Sequence, residues 1–367
     1  EADRVSGAGK QFAHLQKQTN RDLRYQAKGI NEERLLALPN NLLLPLLRVW
    51  SGDRGSIRLE HKQLTITQPN TRKQQTVQAF GFRLLLDATG NKKAIAAGFG
   101  LAENSIIEIQ QELPALDNLT VYQTNMSGIK SNKRSDSKRK DDSELKDPKS
   151  RKKSKTAKER IAAYKQAWRE IDPNVEFLGF KGEDEIAGWW FNHNRGSNKF
   201  KGRLSLVSFG LPYPHIGAIK AEYRALFGTL DGFDDYYRRL VEDEVIQFVG
   251  RQRVQHYPDQ KFVLDIVATY GENFDLSFLN ERYGIKVIER EAVEFCLEAG
   301  TTQEQIKQRI FDIAKGITAA GEKLTQQAIA TATGLSQQMI HKHLDALFGG
   351  WFEFQKVLQP YLKETYS

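Results

Sequence analysis

Over residues 11–50 the apolar positions fall at helical spacing, and Pro39 and Pro45 are expected to break that stretch into short pieces. From 56 to 67 the period changes. Ile57, Leu59, Leu64 and Ile66 alternate with polar residues, as in a hairpin. A continuous apolar run over 82–86 predicts a buried strand that ends in Asp87-Ala88-Thr89-Gly90. Further strands are predicted at 119–123, 175–180, 204–209 and 261–268, with helices at 156–170, 216–227 and 233–249 between them. Strands that alternate with helices of this length predict a parallel sheet covered on both faces, so the centre of the chain reads as an α/β domain.

Past residue 289 the strands give way to helices. Thr301-Thr302-Gln303-Glu304 is a capping box, and Ile306, Ile310, Ile313 and Ile317 then recur at spacings of four, three and four, marking one buried helix face. A second helix is expected to start after Thr325 and stop at Gly334. A third is expected from Ser336, stopped by Gly349-Gly350, with a strand at 351–357. Helix, helix, tight turn, helix and short strand is the order of a winged helix-turn-helix.

Charge sharpens this picture in one place. Residues 130–160 hold 14 Lys and Arg against six acidic residues, an excess equal to the +8 of the whole chain. Six serines and almost no apolar side chain accompany them, so a disordered basic insertion is predicted over 126–156, either an arm that touches nucleic-acid phosphates or a solvated spacer. The one cysteine, Cys296, permits neither an internal disulfide nor a cysteine-based zinc site, which predicts a cytoplasmic protein. No apolar stretch approaches the roughly 20 residues of a bilayer span. The first residue is Glu1, which predicts a segment upstream.

Gly7-Ala8-Gly9-Lys10 suggests a phosphate loop, but Arg4 and Gln11 occupy the places where the Walker pattern needs Gly and Ser or Thr. Asp184-Glu185 and Asp243-Glu244 do not follow apolar strands, so no Walker B motif is evident. His193 and His215 have no Cys or carboxylate nearby at ligand spacing, and both are read as non-ligands.

The most specific segment is Gln247-Phe248-Val249-Gly250-Arg251-Gln252-Arg253, a glutamine followed by Gly-Arg-x-Arg at the end of an amphipathic helix. It resembles helicase motif VI, whose arginines stabilise charge developing on a γ-phosphate. Phe191 to Phe200, with the strand after it and Gly210-Leu211-Pro212-Tyr213-Pro214, resembles motif V of superfamily 2 DNA helicases and the loop beyond it. Leu84 to Thr89 resembles their motif III, and the three occur in the family order.

The chain thus looks like the C-terminal part of such a helicase, most like the helicase portion of cyanobacterial-type plasmid replication proteins. The resemblance implies the end of a first RecA-like domain over 1–115, a second RecA-like domain over 116–288, and a winged helix-turn-helix over 289–367. It implies Arg251 as the finger, Gln247 and Arg253 beside the nucleotide, Arg195, Ser197 and Asn198 between nucleotide and DNA, and Asp87 and Thr89 as the coupling pair. Asn198 stands where many relatives carry an acidic residue, and Gly-Arg-x-Arg is tighter than the commoner Gly-Arg-x-x-Arg. Mg²⁺ and ATP would be bound mainly by a Walker domain outside this chain.

Single-stranded and duplex DNA are the implied partners. Trp189, Trp190, Phe191 and Tyr213 have rings that stack on unpaired bases or pack in a core. In the third C-terminal helix Ile340, Leu344 and Leu347 form a buried stripe, which leaves Gln338, His341, Lys342 and Asp345 outward as DNA contacts. The competing class is a non-enzymatic DNA-binding initiator or scaffold that uses the winged helix and the basic arm. A nuclease or transposase is a weaker third reading, because no clear carboxylate cluster is present.

Overall fold

The computed structural model describes residues 40–50, 53–60, 63–85, 90–109, 116–129, 156–183, 185–191, 198–271 and 274–363. In chain order the first elements are α1 (Asn40–Trp50), β1 (Ser56–Glu60), β2 (Gln63–Thr67), α2 (Thr71–Ala79), α3 (Lys92–Phe99), β3 (Leu119–Asn125) and α4 (Ala157–Ile171). There follow β4 (Glu176–Gly179), β5 (Gly188–Trp189), β6 (Ser205–Phe209), α5 (Ile216–Phe227), α6 (Phe233–Val249), β7 (Phe262–Ala268), α7 (Ser277–Tyr283), β8 (Lys286–Glu291) and α8 (Ala292–Phe295). The chain then continues as α9 (Thr302–Ala319), α10 (Gln326–Thr333), α11 (Gln337–Phe348) and α12 (Trp351–Lys363). No helix among the described residues is long and apolar enough to cross a membrane.

Two compact units divide the chain. One comprises Glu1–Glu112 and Tyr213–Glu244, the other Leu113–Pro212 and Val245–Ser367. In the first, β1 and β2 pair antiparallel as the predicted hairpin, with Ile57 opposite Ile66 and Leu59 opposite Leu64. Pro45 does not break α1, which runs through it; Leu46 beside it is 2% exposed, and that burial offsets the hydrogen bond a proline removes. The strand expected over 82–86 is also corrected. Residues 82–85 have no regular structure, and Phe82 and Leu84 are well exposed. An apolar run becomes a buried strand only where a neighbour takes its backbone hydrogen bonds, and the strands described in this unit pair with each other. Helices α2 and α3 were not anticipated; Asn70 and Asn91 cap their first turns.

The second unit holds a six-stranded sheet in the order β5-β4-β6-β7-β3-β8 in which every neighbouring pair is parallel. It is the parallel α/β sheet that the alternation of strands and helices predicts. β6 is buried at all five positions, as a strand covered on both faces must be. α4 lays Ile161, Tyr164 and Trp168 against Phe177, Val207, Phe209 and Val267 of the sheet. Its start is fixed by a capping box between Thr156 and Glu159. Met126 and Ile129, assigned by sequence to the basic insertion, belong to the same core, and Arg160, counted with the basic run, is 4% exposed; residues 130–155 lie outside the described residues. β8 was not anticipated and crosses the boundary that sequence placed at 288/289.

The C-terminal helices pack around Ile310, Ala314, Ile329, Ile340, Leu344, Phe354 and Leu358, with Ile306 and Ile317 at the margin. The caps follow the sequence closely. Thr301 and Glu304 form the capping box, Thr325 and Ser336 cap α10 and α11, and Gly334 and Gly349 end them in the left-handed conformation at φ 72° and 77°. The strand expected at 351–357, the wing, is instead the first part of α12. Phe354 and Leu358, four apart, both face the core, a helical spacing that the glycine pair ahead of them had masked.

This helical part is tied to the sheet by charge. Arg160 Nε donates to the Ala299 carbonyl at 2.6 Å, its Nη1 to the Ser127 carbonyl at 2.8 Å, and its Nη2 lies 3.5 Å from Glu304 Oε2. Burial pulls the Arg160 guanidinium below its ordinary pKa and Glu304 pulls it partly back. Burial likewise pushes the Glu304 carboxyl up, but donation from the Thr301 backbone, Ser127 and Thr301 side chains, with Arg160 nearby, outweighs it and leaves the pKa lowered. A lowered carboxylate pKa contributes stability that is complete above the ordinary value of about 4.3 and is lost as pH falls through the lower folded value. Melting temperatures between pH 7 and pH 3 are therefore expected to fall less steeply for Glu304→Gln than for wild type, and Glu304→Ala at pH 7 is expected to cost about 1.5 to 3 kcal/mol.

Candidate functional site

The Gln247–Arg253 segment begins in the last turns of α6, where Val245, Phe248 and Val249 are buried and Phe248 meets Trp190 edge-on with ring centroids 5.0 Å apart. Gly250 and Arg251 close the helix through backbone bonds to Ile246 and Phe248. Gln252 then anchors the loop. Fully buried, it points its side-chain amide at the carbonyls of Arg203, Leu204 and Val263 at 2.9 to 3.3 Å, and its own carbonyl accepts from Gly202 at 2.9 Å. Arg253 sits in the left-handed region at φ 55° and ψ 42°, where a non-glycine residue persists only if its surroundings hold it. The turn after it is held by Asn118, whose amide nitrogen lies 2.9 to 3.2 Å from the carbonyls of Val254, Tyr257 and Gln260.

Asn118, Leu204 and Val263 stand at the starts of β3, β6 and β7, so the loop is pinned to the amino ends of three adjacent strands. Arg251 is 9% exposed, while Gln247 and Arg253 are half-buried. The sequence singled out the arginines and overlooked Gln252, the residue that fixes their backbone. Gln252→Ala is expected to lower stability by about 1 to 3 kcal/mol in urea unfolding, since it deletes the buried side-chain bonds that tie the loop to Arg203, Leu204 and Val263.

Of the other residues that the sequence singles out, Asp87, Thr89, Arg195 and Ser197 lie outside the described residues, as does His193. Asn198 is exposed, and its carbonyl accepts from the Lys201 backbone. Trp189 is half-buried on the edge strand β5, whereas Trp190 is a core side chain whose indole donates to the Phe209 carbonyl at 3.4 Å. Phe191 is 43% exposed and held at φ 68°. Tyr213 belongs to the first unit, where it stacks on Tyr237 at 6.3 Å with planes 10° apart; burial, then Tyr237, raises its pKa. His215 caps α5, with Nδ1 accepting from the Ala218 backbone at 3.3 Å and lying 3.3 Å from Arg58 Nη1.

Sequence reading also missed the most strongly bonded polar group in the sheet. Asp265, in the middle of β7, is wholly buried and accepts from Thr124 and Tyr164 at 2.5 Å, from the Trp168 indole at 2.9 Å and from Arg290 at 2.6 Å. Arg290 comes from β8 and also lies over the rings of Tyr122 and Phe295. Burial would pull the Arg290 guanidinium down, but Asp265 and Tyr164 outweigh it and raise its pKa. Burial, then Asp265, pushes the Tyr164 hydroxyl far above its ordinary value, so it stays a donor. With each carboxylate oxygen occupied by donors from within the fold, the cluster is built to hold β3, α4, β7 and β8 together rather than to act on a ligand.

At the C-terminal end α10, a turn through Gly334 and Leu335, and α11 form a helix-turn-helix. Ile340 and Leu344 are fully buried and Leu347 is half-buried, leaving Gln338, His341, Lys342 and Asp345 exposed along one stripe. His341 Nε2 lies 3.4 Å from Asp345 Oδ2 within that stripe. Compared with known proteins, the chain matches no protein family, no curated protein and no solved structure.

Proposed function

We propose that this chain is the C-terminal portion of an ATP-dependent DNA helicase acting in plasmid replication, with its parallel sheet serving as a RecA-like motor domain. The observation that carries this reading is the Gly250–Arg253 loop, a Gly-Arg-x-Arg segment at the end of an amphipathic helix held rigidly against three strand ends. A transition-state arginine must be positioned before the reaction, and a loop fixed by buried amides does that. Arg251 acts as the finger, with Gln247 and Arg253 beside the nucleotide. Mg²⁺ and the triphosphate are held by a Walker domain supplied from elsewhere, since this sequence carries no phosphate-cradling motif. The helix-turn-helix holds duplex near the fork.

The experiment compares DNA-stimulated ATP hydrolysis by the chain alone with that of the chain joined to the Walker-type domain it serves. Turnover only in the joined form supports a motor half. Turnover by the chain alone, or none in either form, overturns it. The second reading, a DNA-binding initiator without catalysis, draws on the exposed polar stripe of α11 and on the burial of Arg251. It expects tight duplex binding that is indifferent to Arg251.

A further inference from the structure

The helix-turn-helix has a feature that its role as a duplex holder does not require. Residues 323–343 contain no Asp or Glu, although the chain carries 46 acidic residues, and they include two lysines, two histidines and four glutamines. Folding gathers these polar side chains. Gln337, Gln338, His341 and Lys342 are exposed on the first two turns of α11, and Met339, 45% exposed, is the large apolar side chain exposed among them. Beside them an open groove is lined by Lys323, Gln326, Gln327, Gln337, Trp351 and Gln355. Asp345, the first acid after this stretch, stands at the far end of the same stripe.

On the first two turns of α11 Met339 is exposed among polar side chains, which is not the cluster of apolar or aromatic anchors that a protein-docking face wants; Trp351 of the groove and the exposed Phe352 and Val357 belong to α12. A polyanion fits the absence of carboxylates. Among polyanions, duplex DNA fits the shape: α11 has 12 residues, is capped at both ends and is anchored by Ile340 and Leu344, so it presents a rigid rod that a B-form major groove admits and an A-form RNA groove does not.

Base chemistry then narrows the choice. A glutamine amide offers one donor and one acceptor, which matches the N7 acceptor and N6 donor of adenine, and an apolar side chain fits the thymine methyl. Guanine is read by arginine or lysine; residues 323–343 contain no arginine, and their two lysines, Lys323 and Lys342, are point charges that suit phosphates.

We infer that the N-terminal half of α11 is a base-reading surface selective for duplex DNA with adjacent A·T pairs, read by Gln337, Gln338 and Met339, with Lys323 and Lys342 on the flanking phosphates. Asp345 sets the orientation: its charge keeps the C-terminal end of the helix away from the backbone, so the N-terminal end enters the groove. The inference rests on the reading of this chain as a DNA-acting protein, and it deepens that reading from holding duplex to choosing it.

The full chain is incubated, without nucleotide, with a pool of duplex oligonucleotides randomised at their centre, and the bound fraction is sequenced. Adjacent A·T pairs are expected to be enriched. Gln338→Ala, an exposed change that should leave the melting temperature unaltered, is expected to weaken binding to the selected duplex about tenfold and to unselected duplex less than about twofold. Lys342→Gln and Lys323→Gln are expected to weaken both alike, each lowering the slope of log affinity against log salt by about one. Enrichment of G·C sites, no enrichment, or a Gln338→Ala variant that weakens all duplexes equally overturns the A·T readout. Joined-form ATPase activity without duplex selection leaves the motor standing and this inference fallen. Selection by a chain inert in every ATPase assay does the reverse.

Discussion

On the proposed motor reading, replacing Arg251 with alanine is expected to lower DNA-stimulated ATP turnover of the chain joined to a Walker-type domain by about 10³ to 10⁵, the range over which an arginine finger acts on phosphoryl transfer. The loss should appear in kcat, with KM for ATP nearly unchanged, because that reading assigns ground-state triphosphate binding to the Walker domain and gives Arg251 the charge that develops later. Arg251→Lys is not expected to rescue it, since an ammonium lacks the planar fork that spans two oxygens. The loop geometry adds a check. Gln252 fixes the backbone next to Arg251, so Gln252→Ala should also lower kcat while folding remains measurable, by displacing the finger rather than removing it. An Arg251→Ala variant that turns over at the wild-type rate would remove the finger from the account and leave the DNA-binding initiator as the better reading.

The second large effect concerns stability. Asp265→Ala strips four donors of their acceptor and leaves Arg290, 14% exposed, as a charge without its carboxylate. Breaking a buried pair from one side typically costs about 3 to 5 kcal/mol, a large part of a domain's net stability of about 5 to 15. Urea unfolding of the full chain should therefore show a midpoint shifted strongly downward with an unchanged slope. Removing both charges, as in Asp265→Leu with Arg290→Met, should recover much of the loss, because it deletes the unpaired charge along with its partner. If the single variant shifts the unfolding free energy by less than about 1 kcal/mol, Arg290 has found other acceptors and the cluster does not hold the sheet as argued.

Some of this was readable from local pattern. The capping residues Thr301, Thr325 and Ser336 and the stops Gly334 and Gly349 acted where sequence placed them, because a cap answers backbone groups within four residues of itself. The helices at 216–227 and 233–249 and the four central strands emerged within a few residues of expectation for the same reason: their periodicity is a property of a short window. Residues 82–85 and 351–357 departed from expectation where the deciding partner was distant. An exposed apolar run lacked a neighbouring strand, and Phe354 and Leu358 chose helix because a core formed by α9 to α11 received them.

By itself the sequence determined the alternation that yields a parallel sheet, the amphipathic faces, the helix ends, and the identity of Gly250-Arg251-x-Arg253 and of the glutamine-rich α11. Only the tertiary structure decided that Asp265 in an apolar strand would meet Thr124, Tyr164, Trp168 and Arg290, which lie 25 to 141 residues away along the chain. It also decided that Gln252 would bind strand ends, and that Arg160 would leave the basic run to join Glu304. Propensity and capping act over one or two turns of chain. A buried charge or amide is tolerated only where partners arrive from other elements, and that arrival is a property of the packed sheet.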